Sequence, residues 1–292
     1  MSVVYSGTSN TDGSGSSANL DDSNATLSVT DEGYAYDDGT YINDSSSTYV
    51  YVDEWNKEGY KEVSIDTSDS LVTVTNFVDI NIENSAIDAD INVYDAKRGI
   101  INTSDGDDTI DVAVKSNSDT WSNQFYVNSG DGDDVITFTN SEGSGYTSLS
   151  IDAGTGDDVV DISGLNAAIS SSVSRDIDGG DGLDTLVLSS QTGVTFENFE
   201  VITAANSDST VELTLDSDLL ATNGSEDGLV LTGFDVDASD FDSASVSDLS
   251  ADDASYLSSL GLDASDYTAL TVDYGDTSYH VLTDDSDLSF VA

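Results

Sequence analysis

Between Ile101 and Leu188 one twelve-residue pattern occurs four times: "INTSDGDDTIDV" from Ile101, "VNSGDGDDVITF" from Val127, "IDAGTGDDVVDI" from Ile151 and "IDGGDGLDTLVL" from Ile177. The copies begin 26, 24 and 26 residues apart. A short element repeated at such a period cannot bury an apolar face alone, so successive copies must stack. Each copy opens on an apolar residue (Ile101, Val127, Ile151, Ile177), followed by an amide or acid (Asn102, Asn128, Asp152, Asp178). A turn of small and acidic residues closes on an aspartate (Asp108, Asp134, Asp158, Asp184). Apolar residues then alternate, at Ile110 and Val112, Ile136 and Phe138, Val160 and Ile162, Leu186 and Leu188. That alternation is the signature of a strand with one buried face.

Two short strands and two turns per repeat make one coil of a parallel β-solenoid of about 25 residues per coil. Stacking at strand spacing, roughly 4.8 Å, predicts an inner apolar ladder of Ile110, Ile136, Val160 and Leu186. It also predicts an acidic ladder of Asp108, Asp134, Asp158 and Asp184 at one corner. Carboxylates so close repel unless a cation lies between them. Calcium suits the chemistry, since it takes six to eight carboxylate and carbonyl oxygens in loose geometry. Magnesium, with its tighter octahedron and retained water, suits it less. Glycines in the turn allow the backbone conformations that aim carbonyls at an ion.

The stretches "GDGDD", "GTGDD" and "GGDGLD", each followed by an alternating apolar strand, resemble the RTX (repeats-in-toxin) calcium-binding β-roll repeat, G-G-x-G-x-D-x-U-x with U a large apolar residue. The resemblance covers about 90 of 292 residues. It implies calcium held between successive turns and export by type I secretion. By position it places Asp108, Asp134, Asp158 and Asp184 at the sixth place, and Gly106, Gly130, Gly132, Gly154, Gly156, Gly179, Gly180 and Gly182 at the glycine places. The candidate metal ligands are Asn102, Asp105, Asp107 and Asp108; Asn128, Asp131, Asp133 and Asp134; Asp152, Asp157 and Asp158; and Asp178, Asp181 and Asp184. The chain departs from the family in carrying one motif per coil, which implies a single row of about three or more Ca2+ on one edge. Ser104 stands where glycine is usual, and Leu183 where the other copies have Asp107, Asp133 and Asp157, so the outermost sites are expected to be weaker.

Composition narrows the partners. The 58 acidic residues outnumber 6 basic ones, for a formal charge of −52. Such a chain has almost nothing to neutralise phosphates, so no nucleic-acid partner is expected. No run of 18 apolar residues is present, so no membrane insertion is expected. Multivalent cations or a high-salt setting fit the charge; a solvating acidic coat explains its amount but not its fixed spacing. Cysteine is absent, which excludes disulfides and thiolate metal sites. The single histidine, His280, lies in an expected strand, and no nucleophile elbow, phosphate loop or histidine zinc motif occurs. The chain does not read as an enzyme; a polysaccharide-active enzyme ranks below the readings given next.

Three regions follow. Residues 1–60 form a small β region rich in Tyr, Ser and Asp, whose Tyr34, Tyr36, Tyr41, Tyr49, Tyr51 and Trp55 suit strand packing or stacking on sugars. Residues 61–216 form the calcium-binding solenoid, including the alternating "LVTVTNFVDINIENSAIDADINVYDA" before the motifs and a metal-free coil at "EVITAANSDSTVELTL" after them. Lys97, Arg98 and Gly99 read as a salt bridge or turn near the acidic corner. Residues 217–292 carry a short helix at "LSADDASYLSSLG", capped by Ser250 and Asp253 and ended by Gly261, then a hairpin about Gly275 and Asp276. The final "TDDSDLSFVA" looks like a type I secretion signal. The expected protein is extracellular, secreted or cell-surface associated. It is a structural calcium binder that self-associates in a surface layer, filament or biofilm matrix. The alternative is a calcium-dependent carbohydrate- or cell-binding adhesin with a polysaccharide partner.

Overall fold

The computed structural model describes residues 70–74, 79–115, 123–140, 147–165, 173–205, 211–225, 227–286 and 288, with the backbone alone at position 75 and of the strands Val3–Gly7, Asn19–Asp21, Ala25–Asp31, Tyr36–Asn43, Ser47–Val52 and Glu62–Thr67. The chain is mostly β and is organised as two long sheets facing one another, an all-β, parallel, solenoid-like architecture. One sheet has fifteen strands and the other eight. The chain alternates between them: Arg98–Asn102 lies in the shorter sheet and Thr109–Val114 in the longer, Asn123–Asn128 in the shorter and Val135–Asn140 in the longer.

The apolar alternation sets the register. Ile110 lies beside Ile136, Ile136 beside Val160, and Val160 beside Leu186. On the facing sheet Ile101, Val127, Ile151, Ile177 and Phe196 follow one another. All of these side chains are buried. Each fully buried aliphatic contributes on the order of 1.5–3 kcal/mol, and a one-residue slip would turn a whole row out to water. Phe125 and Phe138 meet edge to face across the interior, with centroids 5.5 Å apart. Gly99 makes room for that pair: a Cβ there would lie 2.9 Å from the Phe125 ring. Its neighbour Arg98 belongs to a strand and pairs with Asp79, Nε to Oδ1 2.6 Å; the salt bridge is present, but at the strand end opposite the motif turn and not near the acidic corner.

Coil length varies: among the four motif coils it varies at the corner opposite the motif turns, whereas the coil after them is shortened on the motif side, where Glu197 leads into Val201. Ile91 precedes its partner Ile110 by 19 residues, whereas Leu186 precedes Ile202 by 16. Across the four motifs the span from the last residue of the shorter-sheet strand to the first of the longer-sheet strand is constant, Asn102 to Thr109, Asn128 to Val135, Asp152 to Val159 and Asp178 to Thr185. Extra length therefore sits opposite the motif turns.

One expectation fails after the motifs. Val201–Ala204 continues the long sheet, but the next strand, Val211–Thr214, does not extend the eight-stranded sheet as a further coil would, and pairs with Phe234–Asp237 in a separate two-stranded sheet. The long sheet then runs through Leu229–Thr232 into Thr277–Thr283, and ends in the antiparallel strands Thr268–Tyr274 and Ser243–Ser247. Helix α1 spans Ser217–Thr222. Helix α2, Ala251–Ser259, starts at a capping box of Ser250 and Asp253 and packs Leu257 against Val201, Val230 and Leu282 on the outer face of the long sheet. The tyrosines and Trp55 of residues 1–60 have side chains outside the described residues.

Candidate metal centre

Each motif turn is held to the next by its own backbone. Asp105, Asp131, Thr155 and Asp181 form a run of parallel bridges. Gly132 N donates to Thr155 O at 2.7 Å, and Thr155 N donates back to Gly130 O at 2.9 Å. The turns consequently approach too closely for side chains. At Gly154 a Cβ would sit 1.8 Å from Gly130 O, and the residue's φ of +102° is itself foreign to L-residues. The glycines are thus required by stacking as well as by turn conformation.

The sixth-position aspartates form the expected ladder, and they are interior. Asp108, Asp134, Asp158 and Asp184 are each at most 1% exposed. One oxygen of each carboxylate accepts from a backbone N–H of the preceding coil: Ala89 N to Asp108 at 2.5 Å, Asp108 N to Asp134 at 2.7 Å, Asp134 N to Asp158 at 2.8 Å, and Asp158 N to Asp184 at 2.8 Å. The other oxygen, Oδ2, has no hydrogen-bond partner in any of the four. Burial raises these carboxyls, against the opposing pull of the backbone N–H groups: Asp108 upward, Asp134 to about 6, and Asp158 and Asp184 to about 7. Neighbouring carboxylates push the same way, Asp134 and Asp184 on Asp158, and Glu200 on Asp184.

The adjacent aspartates form a second ladder, exposed and of opposite polarity. Asp107, Asp133 and Asp157 accept from the following coil, from Asp133 N at 3.0 Å, Asp157 N at 2.8 Å and Leu183 N at 3.0 Å. This accounts for Leu183. Its N–H donates to Asp157, the last carboxylate of the row, and no motif turn follows to need an acceptor from it. Asp105, Asp131 and Asp181 are exposed at the turn tips, with Asp131 accepting from the Thr155 hydroxyl at 2.9 Å. Asn102, Asn128, Asp152 and Asp178 stack in register at the outer strand ends, away from the buried row. Among them Asn102 bonds Glu83, and Asp178 accepts from Asn198.

Two end residues escaped the sequence reading. Upstream, Asp88 adopts a left-handed φ of 57° and its carboxylate accepts from Asp107 N at 3.1 Å, starting the exposed row. Downstream, Glu200 accepts from Asp184 N at 2.9 Å and stands as a fifth rung of the buried row; burial raises its carboxyl too. Neither lies in a glycine motif. The only available signal was position: Glu200 precedes Val201 as Asp184 precedes Thr185, its register partner.

An interior carboxylate oxygen without a partner calls for a proton or a cation. The donors on this corner are all oxygens, which fits a hard ion such as calcium. Among the described residues no three His, Cys, Asp or Glu side chains converge on one point. The Oδ2 atoms of Asp108, Asp134, Asp158 and Asp184 are the anionic oxygens that a cation on this corner would meet, while the turn carbonyls of Gly130, Gly154 and Thr155 already accept from backbone N–H groups of the adjoining turns. No protein-family model, no curated protein and no solved structure matches the chain.

Proposed function

We propose that the protein is a secreted, RTX-type structural protein whose solenoid folds on binding calcium and whose copies then associate, as in a surface layer, extracellular filament or biofilm matrix. The observation that carries this reading is the row of four buried Oδ2 atoms with no partner. Bound calcium neutralises the carboxylates, so that the row favours the stacked state instead of opposing it. The calcium count expected is about three, one for each gap between four stacked turns. Binding to the folded form alone adds about 2.7 kcal/mol per site at a hundredfold excess over Kd, roughly 8 kcal/mol for three. That is comparable with the whole stability of a typical domain. Low cytosolic calcium would keep the coils unfolded until export, which suits a type I route. Circular dichroism and calorimetry of the full chain across a calcium titration test the proposal: β content should rise as heat is released. A chain with equal β content in chelator and in calcium would refute it.

A second reading, the adhesin, draws on the outer face of the eight-stranded sheet. There Ile100 and Tyr126, in register and each nearly half exposed, lie beside the uncharged Gln124, Asn102 and Asn128. A single exposed tyrosine beside an aliphatic and neutral amides, flanked by Arg98, Glu83 and Asp152, offers one stacking position for a sugar ring. Pull-down on polysaccharides, with Tyr126→Ala as control, separates this from the structural reading.

A further inference from the structure

A stack of parallel coils ordinarily ends in two raw sheet edges and an open apolar interior, each a template for another copy. At the C-terminal end of this chain all three are closed, and by side chains as much as by strands.

The last strand of the eight-stranded sheet is Thr195–Glu197. Its Phe196 carbonyl, which would otherwise face a further coil, accepts from Asn223 Nδ2 at 3.1 Å. The same side chain takes Phe199 N at 3.1 Å through Oδ1, while Asn198 N and Gly224 N donate to Thr222 O and Phe199 O. Helix α1 thus sits across that edge, with Asn223 standing in for a strand. The two-stranded sheet is closed likewise. Gln191 pairs its side-chain amide with both Thr214 N and Thr214 O at 3.0 Å, and on the other strand Val236 N is capped by Asp285 at 2.9 Å. Leu213, Leu215, Leu219, Leu220, Phe234 and Val236 fill the end of the interior. The fifteen-stranded sheet turns antiparallel after Thr277–Thr283 and finishes at Ser243–Ser247. That edge strand is five residues long, mostly exposed and rich in serine, with Asp242 and Asp248 at its flanks. Short, polar, acid-flanked edges resist strand addition.

We propose that the segment from Ser217 to Asp285 is an end cap, and that copies of this chain therefore associate side by side and never by end-to-end stacking through their C-terminal ends. An axial filament needs both ends of every copy, so one closed end excludes it. This rests on the self-association reading only for the direction of growth.

Hydrogen exchange on the full chain tests it, comparing wild type with Ser243→Val/Ser245→Val/Ser247→Val in calcium. The substitutions place β-branched apolar residues on the exposed row of the edge and should make it adhesive. Wild-type amides of residues 243–247 should exchange equally in dilute and associated samples. The triple variant should gain mass in light scattering and slow at those amides by about tenfold or more. Slowing of the wild-type edge on association, or a variant indistinguishable from wild type, would overturn the cap. If wild type stays monomeric in calcium, the self-association reading falls, while the variant comparison still decides the cap. Ser245→Val alone replaces the triple variant should that fail to fold.

Discussion

Two consecutive aspartates in each motif turn send their carboxylates opposite ways along the stack. Asp133 accepts from Asp157 of the following coil while exposed, and Asp134 accepts from Asp108 of the preceding coil while buried. Burial raises the carboxyl of the interior member, and this fixes the sign of a pH effect. Asp134 at about 6 and Asp158 and Asp184 at about 7 stand above their unfolded value of 3.8. In chelator their contribution to stability is complete below that unfolded value and is lost as pH rises through 6 to 7, at about 1.4 kcal/mol per pH unit for each fully titrating rung. The β content of the protein in chelator should therefore rise on acidification from pH 8 to 5. Calcium competes with those protons, so saturating calcium should flatten or reverse the trend. A β content in chelator that stays constant across that range, read by circular dichroism, would refute the raised carboxyls. The glycines give an independent test. Gly154→Ala drives a Cβ into Gly130 O, whereas a Cβ at Gly261, also at positive φ, meets nothing within 4 Å. Urea denaturation in calcium should show a loss of about 1 kcal/mol at Gly261 and at least ~3 kcal/mol at Gly154, where strain and clash add. Equal losses would mean the turns are not packed as described.

At the scale of the element, the strands and their register were legible because period-two alternation and a constant turn leave one arrangement that buries the alternating apolar rows, such as Ile110, Ile136, Val160 and Leu186. The helix at Ala251–Ser259 begins where Ser250 and Asp253 cap it, a purely local signal. The polarity of the two ladders was not legible, since "DD" is symmetrical until the N–H partners are known. Nor was the departure of Val211–Thr214, because "VELT" carries the same alternation whichever sheet takes it. Glu200 was missed because a rung depends on register and not on glycine. Its place refines the test of the ladder. Asp134 has aspartate rungs on both sides, whereas Asp184 has Asp158 on one and Glu200 on the other. Asp134→Ala should raise the calcium midpoint for β formation more than Asp184→Ala does, as read by circular dichroism. Glu200→Ala leaves Asp184 N without its acceptor and should cost about 1–3 kcal/mol, while Glu200→Gln keeps an acceptor and should cost less. Equal midpoints for the two aspartate variants would show that position within the row does not matter.

For the whole molecule, charge and architecture act together. At −52 the chain repels its own copies at every separation shorter than the screening length, about 10 Å at 0.1 M salt. The acidity is not spread evenly over the solenoid. The turn tips carry Asp105, Asp131 and Asp181 with Asp107, Asp133 and Asp157 beside them, whereas on the outer face the row through Asn81, Ile100, Tyr126 and Ser150 is neutral between flanking charges of both signs. Copies approaching side by side bring either acidic corners or neutral faces together, and only the first contact needs a divalent ion. Association through corners should appear in calcium on the order of millimolar, persist in an equal ionic strength of sodium chloride only when calcium is present, and disperse on chelation. Association through faces should follow screening alone and be equally good in sodium. Static light scattering across matched calcium and sodium titrations distinguishes them, and the corner mode is expected because the carboxylates there already lie in register at strand spacing. Scattering that stays at the monomer value throughout, in a chain that circular dichroism shows to be folded, would remove the structural role and leave the polysaccharide-binding reading to be tested on Tyr126.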